Sequence, residues 1–106
     1  MKKDMFEIIN KDEDVKKRTL KLFQVLSNET RFKILLLLCK EEMNVKDFER
    51  VIGQSQTAIS HQLSLLRSIK LVKSKRIGRE MYYSLSDKHV DLIIDLAINH
   101  VTEELS

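Results

Sequence analysis

No proline interrupts this chain and only two glycines relax it, and there is no repeat and no low-complexity tract. Nothing in such a sequence marks a linker, so its 106 residues are expected to form one domain spanning 1–106. That length suffices for a single core if the chain also pairs through a further apolar face. Cys39 is the only cysteine, which excludes an intrachain disulfide and a thiol-rich metal site. It lies in an apolar stretch and reads as a buried, inert thiol. No apolar run is long enough to span a bilayer, and the first ten residues lack the continuous apolar block of a signal peptide. A cytoplasmic protein with no membrane partner is the expectation. A catalytic constellation is also missing: Ser60 and His61 adjoin on a solvent-facing helix with no acid beside them. The chain does not read as an enzyme.

What is present begins with the placement of charge. The net charge is only +3 and the isoelectric point about 9.0. Yet Arg67, Lys70, Lys73, Lys75, Arg76 and Arg79 stand in a row with no acid among them, whereas the final segment carries Asp87, Asp91, Asp95, Glu103 and Glu104. A basic run can be no more than a solvated face. Set against an acidic end, it also suits the phosphates of nucleic acid.

Hydrophobic spacing supplies the elements. Residues 1–11 read as a charged, loosely amphipathic entry with a short helix. In 12–26, Val15, Thr19, Leu22, Phe23 and Leu26 form one stripe, and Ser27 and Asn28 end that helix and cap the next. The helix from 29 to about 40 contains Ile34 to Leu38 without a polar break, so it is expected to be buried nearly all round. Asn44 with Asp47 three residues on signals a capped start, and Val45, Phe48 and Ile52 give the inner face of a short helix stopped by Gly53. Ser55 caps a longer helix over 56–69, with Ile59, Leu63, Leu66 and Ile69 inward and Gln56, Thr57, Ser60, His61 and Ser64 outward. Short helix, glycine turn and longer helix with a polar outer face make a helix-turn-helix.

That outer face carries no acid to repel phosphate. Gln56 suits adenine, and the hydroxyls of Thr57 and Ser60 and the His61 ring suit base edges or phosphate in a major groove. Residues 72–76 and 81–85 alternate around Gly78 as a β-hairpin, which after such a helix reads as a wing. Lys75, Arg76 and Arg79 lie near its tip, and Tyr82 and Tyr83 are expected to pack it on the core. Val45, at the start of the short helix, is expected to support the DNA contact. The fold class is thus mainly α with a small β-hairpin, a winged helix-turn-helix.

The last segment, DKHVDLIIDLAINHVTEE at 87–104, is an amphipathic helix with Asp87 as N-cap. His89 and His100 point from nearly the same face, but the helix rise separates them by roughly 16 Å. One ion cannot bind both, since each zinc ligand atom sits about 2 Å from the metal. A second copy running the other way would bring Asp87 and His89 of one chain to His100 and Glu103 of the other, giving two equivalent four-ligand sites per dimer. Two imidazoles and two carboxylates suit tetrahedral Zn(II), with Co(II) able to take the same place; Cu(I) asks for thiols and nickel for more ligands. The plainer reading is a capped helix with two polar residues beside an apolar stripe.

The stretches LSNETRFKILLLL (26–38), SQTAISHQLSLL (55–66) and LVKSKRIGREMYYSL (71–85), with the final Asp-x-His and His-x-x-Glu set, resemble the ArsR/SmtB metal-responsive repressors over roughly residues 15–104. The likeness is greatest to the zinc and cobalt efflux repressors of the CzrA type. It implies a homodimer paired through its N- and C-terminal helices. Such a dimer holds operator DNA when metal-free and releases it on binding metal, derepressing metal efflux and homeostasis genes. In those repressors the histidine matching His100 also donates a hydrogen bond toward the end of the recognition helix, here near Lys70. Two departures stand out. The Cys-x-Cys pair that many relatives carry before the recognition helix is replaced here by residues 42–47, and Glu103 stands where the CzrA type has histidine. Two other readings stay open: a winged-helix DNA-binding or interaction module without metal response, and a redox regulator using Cys39.

Overall fold

The computed structural model describes residues 4–106. Six helices and a small antiparallel sheet follow in the order α1 (Met5–Lys11), α2 (Glu13–Leu26), α3 (Glu29–Leu38), β1 (Met43–Asn44), α4 (Val45–Ile52), α5 (Gln56–Ser68), β2 (Val72–Ile77), β3 (Glu80–Leu85) and α6 (Lys88–Leu105). The entry helix forms, and the first three residues of the expected 1–11 stretch lie outside the described residues.

Local chemistry sets the helix starts. Asn28 accepts from the Arg31 N–H at 3.0 Å, Ser55 from that of Ala58 at 3.2 Å, and Asp12 from those of Asp14 and Val15. Asn44 and Asp47 close a reciprocal capping box at the start of α4. Gly53 then ends α4 in the left-handed region at φ 82°. In the hairpin, Ile77 faces Glu80 across a two-residue loop. There Gly78 takes the positive φ of 63° that the first position of a type II′ turn demands.

Ile34, Leu35, Phe48, Ile59, Leu63 and Leu66 are fully buried where α3, α4 and α5 meet, each contributing about 1.5–3 kcal/mol relative to an exposed side chain. The core is closed on one side by Leu71 and Val72 and on the other by Val90 and Ile94 of α6. Tyr83 packs against it, as expected from the hairpin pattern.

Three details differ from the periodicity. Met43 and Asn44 form a third strand on β3, opposite Tyr83 and Tyr82, so the sheet order is β1-β3-β2. Two residues are too few for alternation to reveal. Within α3, Leu36 and Leu37 are only half-buried and line a shallow apolar cleft with Lys33, Val51 and Ile52. In α2 the fully buried residue is Val25, while Leu20 and Phe23 stand 63% and 59% exposed. Most of α6 beyond Ile94 is also uncovered by its own chain, with Leu96, Val101 and Leu105 exposed. No helix among the described residues is long and apolar enough to cross a membrane.

One non-glycine residue, Lys70, holds a left-handed conformation at φ 63° where α5 turns into β2. The Leu71 N–H to Leu66 carbonyl bond of 3.0 Å, reaching five residues back, closes that turn. A side chain in this region costs about 1–2 kcal/mol. Lys70→Gly is therefore expected to raise the unfolding free energy by about 0.5–1 kcal/mol, part of the relief being offset by the freer unfolded chain. Gly53→Ala, at a site with open space for a methyl group, should lower it by about 1 kcal/mol through backbone conformation alone. Urea titrations at one fixed protein concentration measure both shifts, and equal stability of Lys70→Gly and wild type would show the turn to be unstrained.

Candidate nucleic-acid interface and metal centre

The outer face of α5 is set by what its inner face buries. With Ile59, Leu63 and Leu66 fully enclosed, helical geometry turns Gln56, Thr57, His61 and Ser64 to solvent, and Ser60 lies half-buried on the flank. The first turn of α5 has no acidic side chain, so its N–H groups keep the positive end of the helix dipole uncovered by local charge. At the other end Arg67 donates to the Ser74 hydroxyl at 3.1 Å, tying α5 to the wing strand β2. Val45 occupies the first position of α4, half-buried and packed on the core.

Lys75, Arg76 and Arg79 are exposed on the hairpin, as the sequence suggests. Their surroundings are less purely basic than the linear run implies. The Lys75 ammonium lies 3.7 Å from Glu42, and Lys46 lies 3.6 Å from Glu80. Arg76 donates to the Gly78 carbonyl at 3.3 Å. Glu42 lies outside the basic run in sequence. It immediately precedes β1, and only the pairing of β1 with β3, which has no readable signature, accounts for its approach to the wing.

On α6, Asp87 accepts from the N–H groups of His89 at 2.9 Å and Val90 at 3.4 Å, and the His89 Nδ1 lies 3.4 Å from the same Asp87 oxygen. The cap thus holds one carboxylate and one imidazole side by side. Both border a cleft of about 660 Å³ between α2, α6 and the turn after α5, lined among others by Phe23, Ile69, Lys70 and Ile93. His100 and Glu103 are exposed near the far end of α6. No group of three or more His, Cys, Asp or Glu side chains able to hold a metal forms within one chain among the described residues. The two donor pairs therefore fit a metal only if they come from two chains.

Cys39 sits half-buried at the C-terminus of α3 beside α6. Burial, then a hydrogen bond to Asp91 and the charges of Asp91 and Asp95, push its thiol up to about 11.

A helix-turn-helix with a bare polar recognition face and a basic hairpin beside it defines a winged-helix DNA-binding domain. Residues 28–74 match the family described as bacterial regulatory protein, arsR family. The chain is 36% identical to the transcriptional repressor SmtB homolog of Synechocystis sp., over 85% of this chain and 68% of that one. It is 34% identical to the cadmium resistance transcriptional regulatory protein CadC homolog of Staphylococcus aureus, over 100% and 98%. Among solved structures it superimposes with a TM-score of 0.83 on the homodimeric winged helix-turn-helix DNA-binding domain Mb0332 from Mycobacterium bovis, at 27% identity over 88% of this chain and 86% of that one. The protein belongs to the ArsR family of transcriptional regulators.

The raised thiol yields a prediction. The thiolate is the reactive form, and at pH 7.5 a group with a pKa of about 11 is ionised on the order of once in several thousand molecules. Iodoacetamide should label Cys39 of the folded protein slowly at pH 7.5 and much faster toward pH 11. Because the folded state keeps this proton when the unfolded state has lost it, the thiol's contribution to stability should fall as pH rises from about 9 to about 11. Fast labelling at neutral pH would favour the redox reading of Cys39.

Proposed function

We propose that this protein is a metal-sensing transcriptional repressor of the cytoplasm. Two chains pair through α2 and α6 and set α5 and the wing of each on double-stranded operator DNA. They let go when Zn(II), with Co(II) as second choice, is held by Asp87 and His89 of one chain and the partner's His100 and Glu103. The observation that carries this reading is the arrangement of α6. Its four donors lie in two pairs at opposite ends of the 18-residue helix and its cap, with exposed Leu92 and Leu96 between them. A second copy running antiparallel covers that apolar stretch and brings each pair to its complement in one movement.

The chemistry of the donors favours zinc and cobalt. Imidazole nitrogen and carboxylate oxygen form a borderline-hard set, and the thiolate pair that softer metals want is absent from this chain. A metal ion in this set would supply a bond from one chain's α6 to the other's, fixing their register. The chain's own residues do the rest. Asp87 holds His89 in place through the cap, and Lys70 at the end of the recognition helix lines the same cleft as that pair. Gln56, Thr57, Ser60 and His61 are assigned to the major groove, with Val45 in support and Lys75, Arg76 and Arg79 on phosphate or minor groove. Dimer symmetry implies an imperfect inverted repeat as operator.

Linkage tests the switch. If zinc weakens operator binding, operator must weaken zinc binding by the same factor, typically about 5- to 150-fold. Zinc titrations with and without saturating DNA from the protein's own promoter should show that shift in the wild type and lose it in His100→Gln. An unchanged zinc affinity would make the metal structural and leave a DNA-binding regulator without metal response. The wing gives a second test. Glu42→Gln frees Lys75 for phosphate, so DNA affinity at low salt should rise and the slope of log affinity against log salt should steepen by up to about 1. An unaltered slope would take Lys75 out of the interface.

A further inference from the structure

Arg31 stands in the first turn of α3, where the helix dipole disfavours a cation. Its side chain is committed elsewhere. The guanidinium Nε donates to the Val25 carbonyl at 3.1 Å, in the last turn of α2, and Nη1 donates to the Gln62 Oε1 at 3.2 Å, in the middle of α5. Val25 is itself fully buried, and its carbonyl, which accepts a long 3.4 Å bond from the Asn28 N–H in the turn after α2, takes the guanidinium as its closer donor. The neighbouring residue grips α5 as well: Thr30 accepts from Gln54 at 2.8 Å, two positions ahead of the α5 start. One turn of α3 thus holds the recognition helix at its approach and at its midpoint.

We propose that Arg31 is a positioning residue that fixes the orientation of α5 relative to the pairing helix α2, and thereby the half-site spacing that the dimer accepts. This rests on the reading of the protein as a DNA-binding dimer, but not on its response to metal. The apolar contacts of Ile34 and Leu35 with α5 set how closely the helices pack, and they are non-directional. Orientation needs directional contacts. A planar guanidinium with donors in a rigid fork serves two acceptors at a fixed angle, which the single ammonium of lysine does not. Gln62 adjoins His61 of the reading face and lies half-buried between that face and the core, so a restraint there bears on the direction in which the face points. The other end of the fork is on α2, whose exposed Leu20 and Phe23 belong to the pairing surface proposed above.

The test separates orientation from stability. An inverted repeat is first selected by wild-type protein from a random duplex pool, then rebuilt with its spacer one base pair longer or shorter. Wild type should lose about tenfold or more on either altered spacer, comparable to a mismatched base pair. Arg31→Met and Arg31→Lys should lose about threefold or less, with the salt slope and the dimer dissociation constant unchanged. Gln62→Met breaks the same contact while leaving Arg31 on the Val25 carbonyl, and it decides the matter alone if Arg31→Met does not fold. If these variants weaken binding to every spacer by one common factor, Arg31 is only structural and the proposal is overturned. Wild-type protein that enriches no repeat would instead remove the DNA-binding reading, and this inference with it.

Discussion

An α-helix cannot fold back on itself, and over the 18 residues of α6 that stiffness governs what one chain can do alone. Val90 and Ile94 anchor the first two turns in the core, and the remainder runs on at about 1.5 Å per residue into open space. Two consequences share this cause. The donor pair at the start is kept from the donor pair near the end, and Leu96, Val101 and Leu105 are left without cover. Exposed apolar side chains scattered singly need no explanation, but Leu92 and Leu96 stand one turn apart on one face of α6, and Phe23 of α2 lines a cleft with Ile93 next to Leu92. The apolar surface and the proposed ligand geometry call for the same object, a second copy related by a two-fold axis.

The reading face depends on a different balance. Three fully buried residues fix how α5 is rotated, but the polar side chains around it determine how it is held: Arg67 to Ser74 on the wing side, Arg31 to Gln62 on the pairing side. The wing carries its cations in company with acids. Exposed pairs such as Lys75 with Glu42 and Lys46 with Glu80 contribute at most about 1 kcal/mol each in water and weaken with salt. They are cheap to exchange for a phosphate, so Glu42 and Glu80 moderate the basic surface without blocking it.

Much of this was legible in the residues because the signals are local. Asn28, Asn44, Ser55 and Asp87 cap helices as their positions predict, Gly53 and Gly78 take the positive φ values their turns require, and Ile59, Leu63 and Leu66 give the inner stripe of α5. Where the reading fell short, the missing information was long-range. Periodicity identifies an apolar stripe without saying whose core it enters, so it places Phe23 with Leu22 although its own chain leaves Phe23 exposed and buries Val25. Strand β1 is too short for a pattern, and with it went the approach of Glu42 to Lys75. Arg31 left one faint trace, a cation at the wrong end of a helix dipole, and its partners lie 6 and 31 residues away. The α6 donors were visible as a spacing, but one chain cannot display the centre they are proposed to form.

The place where the two halves of the molecule meet is the turn at Lys70. It ends the recognition helix, it lines the cleft that Asp87 and His89 also border, and it is the one described non-glycine residue held at positive φ. Such a conformation costs about 1–2 kcal/mol, the same order as a typical coupling energy between two sites, about 1–3 kcal/mol. A change at α6 that favoured or disfavoured this single turn would therefore have enough energy to alter the aim of α5, without a chain of small displacements through the core. A close-packed core transmits strain poorly as gradual deformation and well as a switch between two arrangements. A strained hinge between a rigid reading helix and a rigid pairing helix has the form such a switch requires.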